Sequence, residues 1–172
     1  VRGATGWTAM PLAATGRKAA AIDSFDGNLY FLEPERGQIV KFASGSYAQT
    51  PQPWSSTKAT TDLSLALDFT IDKDIYTLLS DGRILDYYQG EMKTSFAPSM
   101  VPPLAGASAI TSATDGRWLY LADPKEGRII RLGRDGSLSG VYKPADGGKG
   151  FTGVRDIAID EMRHRIEKQC YA

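Results

Sequence analysis

The sequence is poor in the residues on which much protein chemistry depends. Its 172 residues include one cysteine, Cys170, one histidine, His164, and one asparagine, Asn28. A single cysteine excludes an internal disulfide, and Cys170, near the end of the chain, reads as an inert thiol. A single histidine excludes a histidine-rich metal site and leaves a serine or cysteine triad with no base besides His164. Charge of one sign is missing too, since 20 Lys and Arg balance 20 Asp and Glu. No global field steers the chain onto nucleic acid or an anionic membrane, and the scattered basic residues form no phosphate-tracking patch. No apolar stretch approaches the ~18 residues that span a bilayer, so neither direct membrane insertion nor a signal peptide within these residues is expected. These absences do not set the compartment, and they are compatible with an extracytoplasmic bacterial setting. The chain starts at Val1 and its first residues already read as folded sequence, so a piece of a longer protein is expected.

What is present is ordinary globular composition, 42% hydrophobic and 23% charged, arranged as a repeat. Ala21-Ile22-Asp23 leads to Asn28-Leu29-Tyr30-Phe31-Leu32 and then Gly37-Gln38-Ile39. Ala66-Leu67-Asp68 leads to Asp74-Ile75-Tyr76-Thr77-Leu78 and then Gly82-Arg83-Ile84. Ala109-Ile110-Thr111 leads to Trp118-Leu119-Tyr120-Leu121 and then Gly127-Arg128-Ile129. A fourth copy opens at Ala158-Ile159-Asp160. A second series, Trp7, Trp54, Phe96 and Tyr142, runs with the same period as the tyrosines.

Each unit reads as four short strands. The first, near 19–23, 63–68, 107–111 and 154–160, carries small and aliphatic residues on both faces, the pattern of a doubly buried strand. The second, near 28–33, 74–79 and 117–122, suits a pleated surface packed between sheets. The third, near 37–42, 82–88 and 127–132, alternates in part. The fourth holds the aromatic marker and lies outermost. Glycine-bearing hairpins join second to third strands. Four antiparallel strands every ~45 residues predict an all-β fold, a β-propeller fragment of about three complete four-stranded blades plus edge strands of two more. The expected divisions are a blade edge at 1–16, blades at 17–57, 58–103 and 104–150, and the start of another at 151–172. A three-blade arc exposes unpaired edges at both ends, which predicts a homodimer or dependence on the rest of the parent chain.

The blade pattern resembles six-bladed propellers of the NHL and YWTD type, most closely in Leu119-Tyr120-Leu121-Ala122-Asp123 with Gly127-Arg128-Ile129. Leu29-Tyr30-Phe31-Leu32-Glu33 with Gly37-Gln38-Ile39 is a conservative variant. The middle unit departs, having Leu79-Ser80 and a shorter hairpin where the others have an acidic strand end. Residues 71–90, with Trp54 after Pro51-Gln52-Pro53, also resemble propeller regions downstream of the catalytic domain in some bacterial PPM-type protein phosphatases. That resemblance implies that any phosphatase chemistry belongs to another domain.

Counting back from the end of each first strand places Arg17 and Lys18, Asp62 and Ser64, Ser108, and Arg155 and Asp156 near the mouth of the central channel. Converging charges in a concavity are candidate ligand-binding residues, because partial dehydration strengthens each contact. The alternative is that they pair with one another between neighbouring blades. Asp23, Asp68 and Asp160 recur at one place in the repeat, which predicts one shared structural task, accepting turn N–H groups. The Asp-Gly pairs at 26, 81, 115 and 135 read as turns, since no twelve-residue loop of alternating oxygen ligands accompanies them. No catalytic residue, metal site or cofactor is expected. The function expected is a non-catalytic binding or sensing module that recognises a protein or small ligand on a propeller face. The alternative is a metal-dependent lactone or ester hydrolase like the gluconolactonase-type propellers, for which Asp62 and Asp156 lie at suitable depth without a matching Glu or Asn.

Overall fold

The computed structural model describes residues 2–3, 6–7, 9–13, 18–55, 63–113, 116–145, 147, 150–160 and 165–169. Their strands fall into five antiparallel sheets. First come β1 (Arg2–Gly3) and β2 (Gly6–Trp7), paired with each other. The next sheet has β3 (Ala21–Phe25), β4 (Asn28–Glu33), β5 (Gln38–Phe42) and β6 (Gln52–Pro53) in that spatial order. Then follow β7 (Ala66–Ile71), β8 (Ile75–Leu79), β9 (Ile84–Tyr88) and β10 (Glu91–Phe96), and after them β11 (Ala109–Ser112), β12 (Trp118–Asp123), β13 (Arg128–Gly133) and β14 (Leu138–Tyr142). A last pair consists of β15 (Asp156–Asp160) and β16 (Arg165–Gln169). The three four-stranded sheets are simple meanders whose first strands, β3, β7 and β11, lie side by side, with β15 next to β11.

Local chemistry explains the hairpins. Asp26-Gly27, with φ of 50° and 74°, closes β3 onto β4, and Gln89-Gly90, with φ of 51° and 84°, closes β9 onto β10. Two successive positive φ values give the turn whose twist matches paired strands. Between second and third strands, the first and third sheets use one device. Gly37 and Gly127 both have φ of 60° and donate their N–H to Pro34 O and Pro124 O. The acidic residue ending the second strand then meets a partner at the start of the third. Gln38 Nε2 donates to Glu33 Oε2 at 3.2 Å. Arg128 Nε donates to Asp123 Oδ2 at 2.8 Å, both side chains being buried, and Arg128 Nη2 reaches Pro102 O at 2.7 Å. The middle sheet has the shorter hairpin, in which Leu79 N–H bonds Arg83 O. There a Cβ on Gly82 would collide with the Leu104 carbonyl.

Among the described residues, three clusters of core lie between sheets. Tyr30, Leu32 and Ile39 of the first four-stranded sheet meet Ile75, Leu79, Leu85 and Tyr87 of the second. Trp54 stands edge-on to both Tyr30 and Tyr87, with centroids 6.3 Å from each. Tyr76, Leu78 and Ile84 face Ile110, Leu119, Leu121 and Ile130 of the third sheet. Tyr120, Ala122 and Ile129 face Val154 and Ile157 at the start of β15. Tyr30, Tyr76 and Tyr120 therefore occupy equivalent sites on second strands, at 4%, 2% and 8% exposure. Phe96 and Tyr142 end the outermost strands, and Trp54 follows β6 directly.

The first strands differ from expectation. They begin about two residues later than the small-residue pattern suggested and are not buried on both faces. Ile22 is 60% exposed and Leu67 40%. Small and aliphatic residues were a misleading sign here, because a strand at the channel edge has one side open to the cavity. The strands buried on both faces are the second and third.

Truncating Tyr76 to alanine is expected to cost about 3–5 kcal/mol, the range for emptying a buried aromatic site. Urea unfolding monitored by tryptophan fluorescence gives the value. A cost within ~1 kcal/mol of zero would mean that this ring does not hold the two sheets together.

Candidate functional site

The first strands enclose one cavity of about 420 Å³, lined in part by Asp23, Asp68, Thr70, Ser108, Arg155 and Asp156. Of the residues expected at the channel mouth, Ser108, Arg155 and Asp156 meet there. Lys18 is exposed and Ser64 lies on the 3-10 turn Leu63–Leu65, and neither lines this cavity. Arg17 and Asp62 lie outside the described residues, as do His164 and Cys170. Ser108 Oγ donates to Val154 O at 3.2 Å, fixing the third sheet to the segment that leads into β15. Ser108 and Arg155 also border a second depression of about 460 Å³ that runs out over Pro124 and Thr152.

Asp23 and Asp68 lie on the cavity wall, but they do not cap turns as expected. Each accepts a backbone N–H from the first strand of the next sheet. Ile71 N donates to Asp23 Oδ2 at 2.9 Å and Ile110 N to Asp68 Oδ2 at 2.8 Å. The task is shared between them, but the position is not. Asp23 pairs across its sheet with Tyr30, whereas Tyr76 pairs with Thr70 and Asp68 pairs with Leu78. A bulge between Ala66 and Asp68, with Leu67 as the extra residue, displaces Asp68 toward the strand start. Thr70 is therefore the counterpart of Asp23. Its Oγ1 accepts Ser112 N at 3.1 Å and lies 3.1 Å from Ser112 Oγ. The seam between the second and third four-stranded sheets thus carries two side-chain bridges, at Asp68 and Thr70. The side chain of Asp160 lies outside the described residues.

Burial dominates the electrostatics of Asp68. Removing water penalises its charged form, and Asp156 and Asp23 add repulsion, while N–H bonds from Ile110 and Phe69 partly offset both. The result is a carboxyl pushed up from its ordinary 3.8 to about 7. The ion pairs between sheets sit elsewhere. Arg134, in the β13–β14 turn, binds Asp72 at the end of β7 through both carboxylate oxygens and lies over Tyr76, 5.0 Å from its centroid. Lys93 bridges Asp74 at 3.1 Å and the buried Asp86 at 3.4 Å within the second sheet. Among the described residues, no group of three or more His, Cys, Asp or Glu side chains could hold a metal ion. Nothing in the repeat pattern marked Asp68 or Thr70 as cavity residues, because the bulge hides their true alignment.

No protein-family model matches the chain, and no curated protein matches its sequence. Solved structures match its shape. A catalytically inactive virginiamycin B lyase from Staphylococcus aureus, solved with quinupristin, gives a TM-score of 0.60 at 14% identity, over 96% of this chain and 60% of its own. BamB from Moraxella catarrhalis gives 0.55 at 16% identity, over 87% of this chain and 40% of its own. A glutaminyl cyclase from Myxococcus xanthus gives 0.63 at 12% identity, over 87% of this chain and 66% of its own. The chain therefore spans less than two thirds of the length of the first two. Identities this low establish the fold alone: the chain is an all-β arc of a β-propeller, with three four-stranded antiparallel blades.

Replacing Thr70 by valine keeps its shape and removes the acceptor for Ser112 N–H. The expected cost is about 1–3 kcal/mol, the penalty for a buried donor left without its partner. Denaturant titration of parent and variant checks it, and Thr70→Ser should recover part of the loss.

Proposed function

We propose that this β-propeller arc is a non-catalytic binding module of a larger bacterial protein, taking a protein segment or small ligand at the mouth of its channel. The observation that carries the reading is the cavity of about 420 Å³ where Asp68 of β7 meets Ser108, just before β11, and Arg155 and Asp156 at the start of β15. A concave site of this size with a few fixed polar groups suits ligand capture. Arg155 and Asp156 are exposed, so their charges are available to a partner. The repeat's likeness to NHL and YWTD propellers and the likeness of residues 71–90 to propeller regions of bacterial PPM-type phosphatases are consistent with a module appended to another activity. Among the described residues the sheets β1–β2 and β15–β16 each have two strands where the blades have four, which fits pairing with a second copy or with further blades of the parent chain.

The hydrolase alternative needs several oxygen donors around one ion. Asp23, Asp68 and Asp156 line the same cavity, but they do not form a group that could hold a metal ion. Elemental analysis of the purified protein, with and without chelator, separates the two readings.

Reversing the charge at Arg155 with Arg155→Glu is expected to abolish partner capture and leave the melting temperature nearly unchanged. Affinity capture and thermal unfolding of parent and variant, run side by side, check this. A large loss of stability with capture intact would instead make Arg155 a structural partner between blades and remove the binding role.

A further inference from the structure

The sequence has no basic run, yet the fold collects three cations at one place. Beyond the channel mouth, the depression of about 460 Å³ over Pro124 meets another of about 300 Å³ at Thr152. One wall of this groove is the β12–β13 hairpin, and the other is the segment between β14 and β15. Lys125 comes from the first wall, and Lys143 and Arg155 come from the second. Glu126 supplies the one carboxylate among the described lining residues, since Asp23, Asp68 and Asp156 line the channel cavity instead.

Both walls are held by bonds that do not involve these cations. Gly127 N–H closes the hairpin on Pro124 O at 3.3 Å, and the buried Asp123–Arg128 pair lies at its base. Opposite, Gly147 N–H donates to Pro144 O at 3.2 Å, and Ser108 Oγ holds Val154 O at 3.2 Å. Lys125 is exposed, but its stem rests on Gly106, where a Cβ would stand 2.5 Å from Lys125 Cβ and 3.0 Å from its Cδ. Lys143 and Arg155 are exposed as well. Among the described residues, none of the three cations has an ion-pair or hydrogen-bond partner. A single exposed lysine needs no partner besides water. Three cations against one carboxylate in a concavity make a local positive potential, which the low-dielectric walls focus. The chain as a whole is neutral, with 20 basic residues against 20 acidic, so this attraction belongs to the groove.

We propose that the groove between the β12–β13 hairpin and the segment preceding β15 is a docking site for an acidic polypeptide segment, whose carboxylates pair with Lys125, Lys143 and Arg155. A nucleic acid is the other polyanion to weigh. Binding of a single strand draws on aromatic platforms for its bases, and none of the described lining residues is aromatic. The lining offers instead the rings of Pro124 and Pro144 and the bare backbone at Gly127 and Gly153, against which an extended peptide can lie. The groove shares Ser108 and Arg155 with the channel mouth, but it acts whether or not that mouth takes a ligand.

Fluorescence anisotropy tests it with a short dye-labelled peptide of alternating glutamate and serine. The matching glutamine–serine peptide and a single-stranded oligouridylate of equal length serve as comparisons. The glutamate peptide is expected to bind saturably and to weaken as salt is raised. Its affinity should fall at least about tenfold with each of Lys125→Glu and Lys143→Glu. Both lysines line the groove and not the channel cavity, so their effect is separate from that of Arg155→Glu at the mouth. Melting temperatures near the parent's show that the variants fold. Should either fail to fold, Lys125→Gln and Lys143→Gln remove the charge without reversing it and should still weaken binding. The proposal is overturned if the glutamate peptide does not bind, or binds no better than the glutamine peptide or the oligouridylate. Affinity left unchanged by either lysine substitution overturns it as well.

Discussion

Each blade has two apolar faces, and among the described residues no α-helix covers either. In the second blade, Ile75, Leu79, Leu85 and Tyr87 point one way, and Tyr76, Leu78 and Ile84 point the other. A sheet of this kind cannot be stable by itself in water, because whichever face is left open forfeits roughly 25 cal/mol for each Å² of apolar surface exposed. Stacking sheet on sheet satisfies both faces at once. The radial order, the position of the first strands along a channel and the polar outermost strands all follow from it. β10, whose residues are almost all exposed, sits where the stacking leaves room for water.

Polar interactions then set how the sheets align. Asp23 and Asp68 take backbone N–H groups that the first strands, having a neighbour on one edge only, would otherwise present to the channel. At the end of β7, one residue past Ile71, Arg134 joins Asp72 to Tyr76. The buried Asp123–Arg128 pair fixes a hairpin against the Pro102 carbonyl. Such pairs add little net adhesion once desolvation is counted, but they penalise any other alignment. The candidate site is a by-product of this arrangement, since the groups that align the blades also furnish the cavity with charge.

Much of this was legible in the sequence. The tyrosines at 30, 76 and 120 were found in phase because a ring that fills the same gap in each junction must recur at the same interval. The turns at Asp26-Gly27 and Gly37 were readable because only certain residues tolerate positive φ. Two features were not readable. The bulge at Leu67 leaves the sequence pattern Ala-Leu-Asp intact while shifting what it pairs with, so Asp68 looked like the counterpart of Asp23 when Thr70 is. The exposure of Ile22 and Leu67 was hidden because hydrophobic composition reports a strand's tendency to be buried and carries no information about which side faces the channel. Of the expected mouth residues, those in the third blade and at the start of β15 reached the cavity, while Ser64 was carried away by the 3-10 turn before β7.

Among the described residues, three parcels of hydrophobic core each belong to one junction between adjacent sheets. Residues of the first blade share no parcel with those of the third. Such a molecule has no centre. Its cooperativity runs along the arc from neighbour to neighbour, as in other stacked-repeat architectures. A blade inserted or removed by recombination would add or subtract one junction and leave the other parcels as they were. Length is therefore a quantity this architecture can change in whole steps, with the curvature of the stack, and not the contents of any one core, deciding how many steps close the circle.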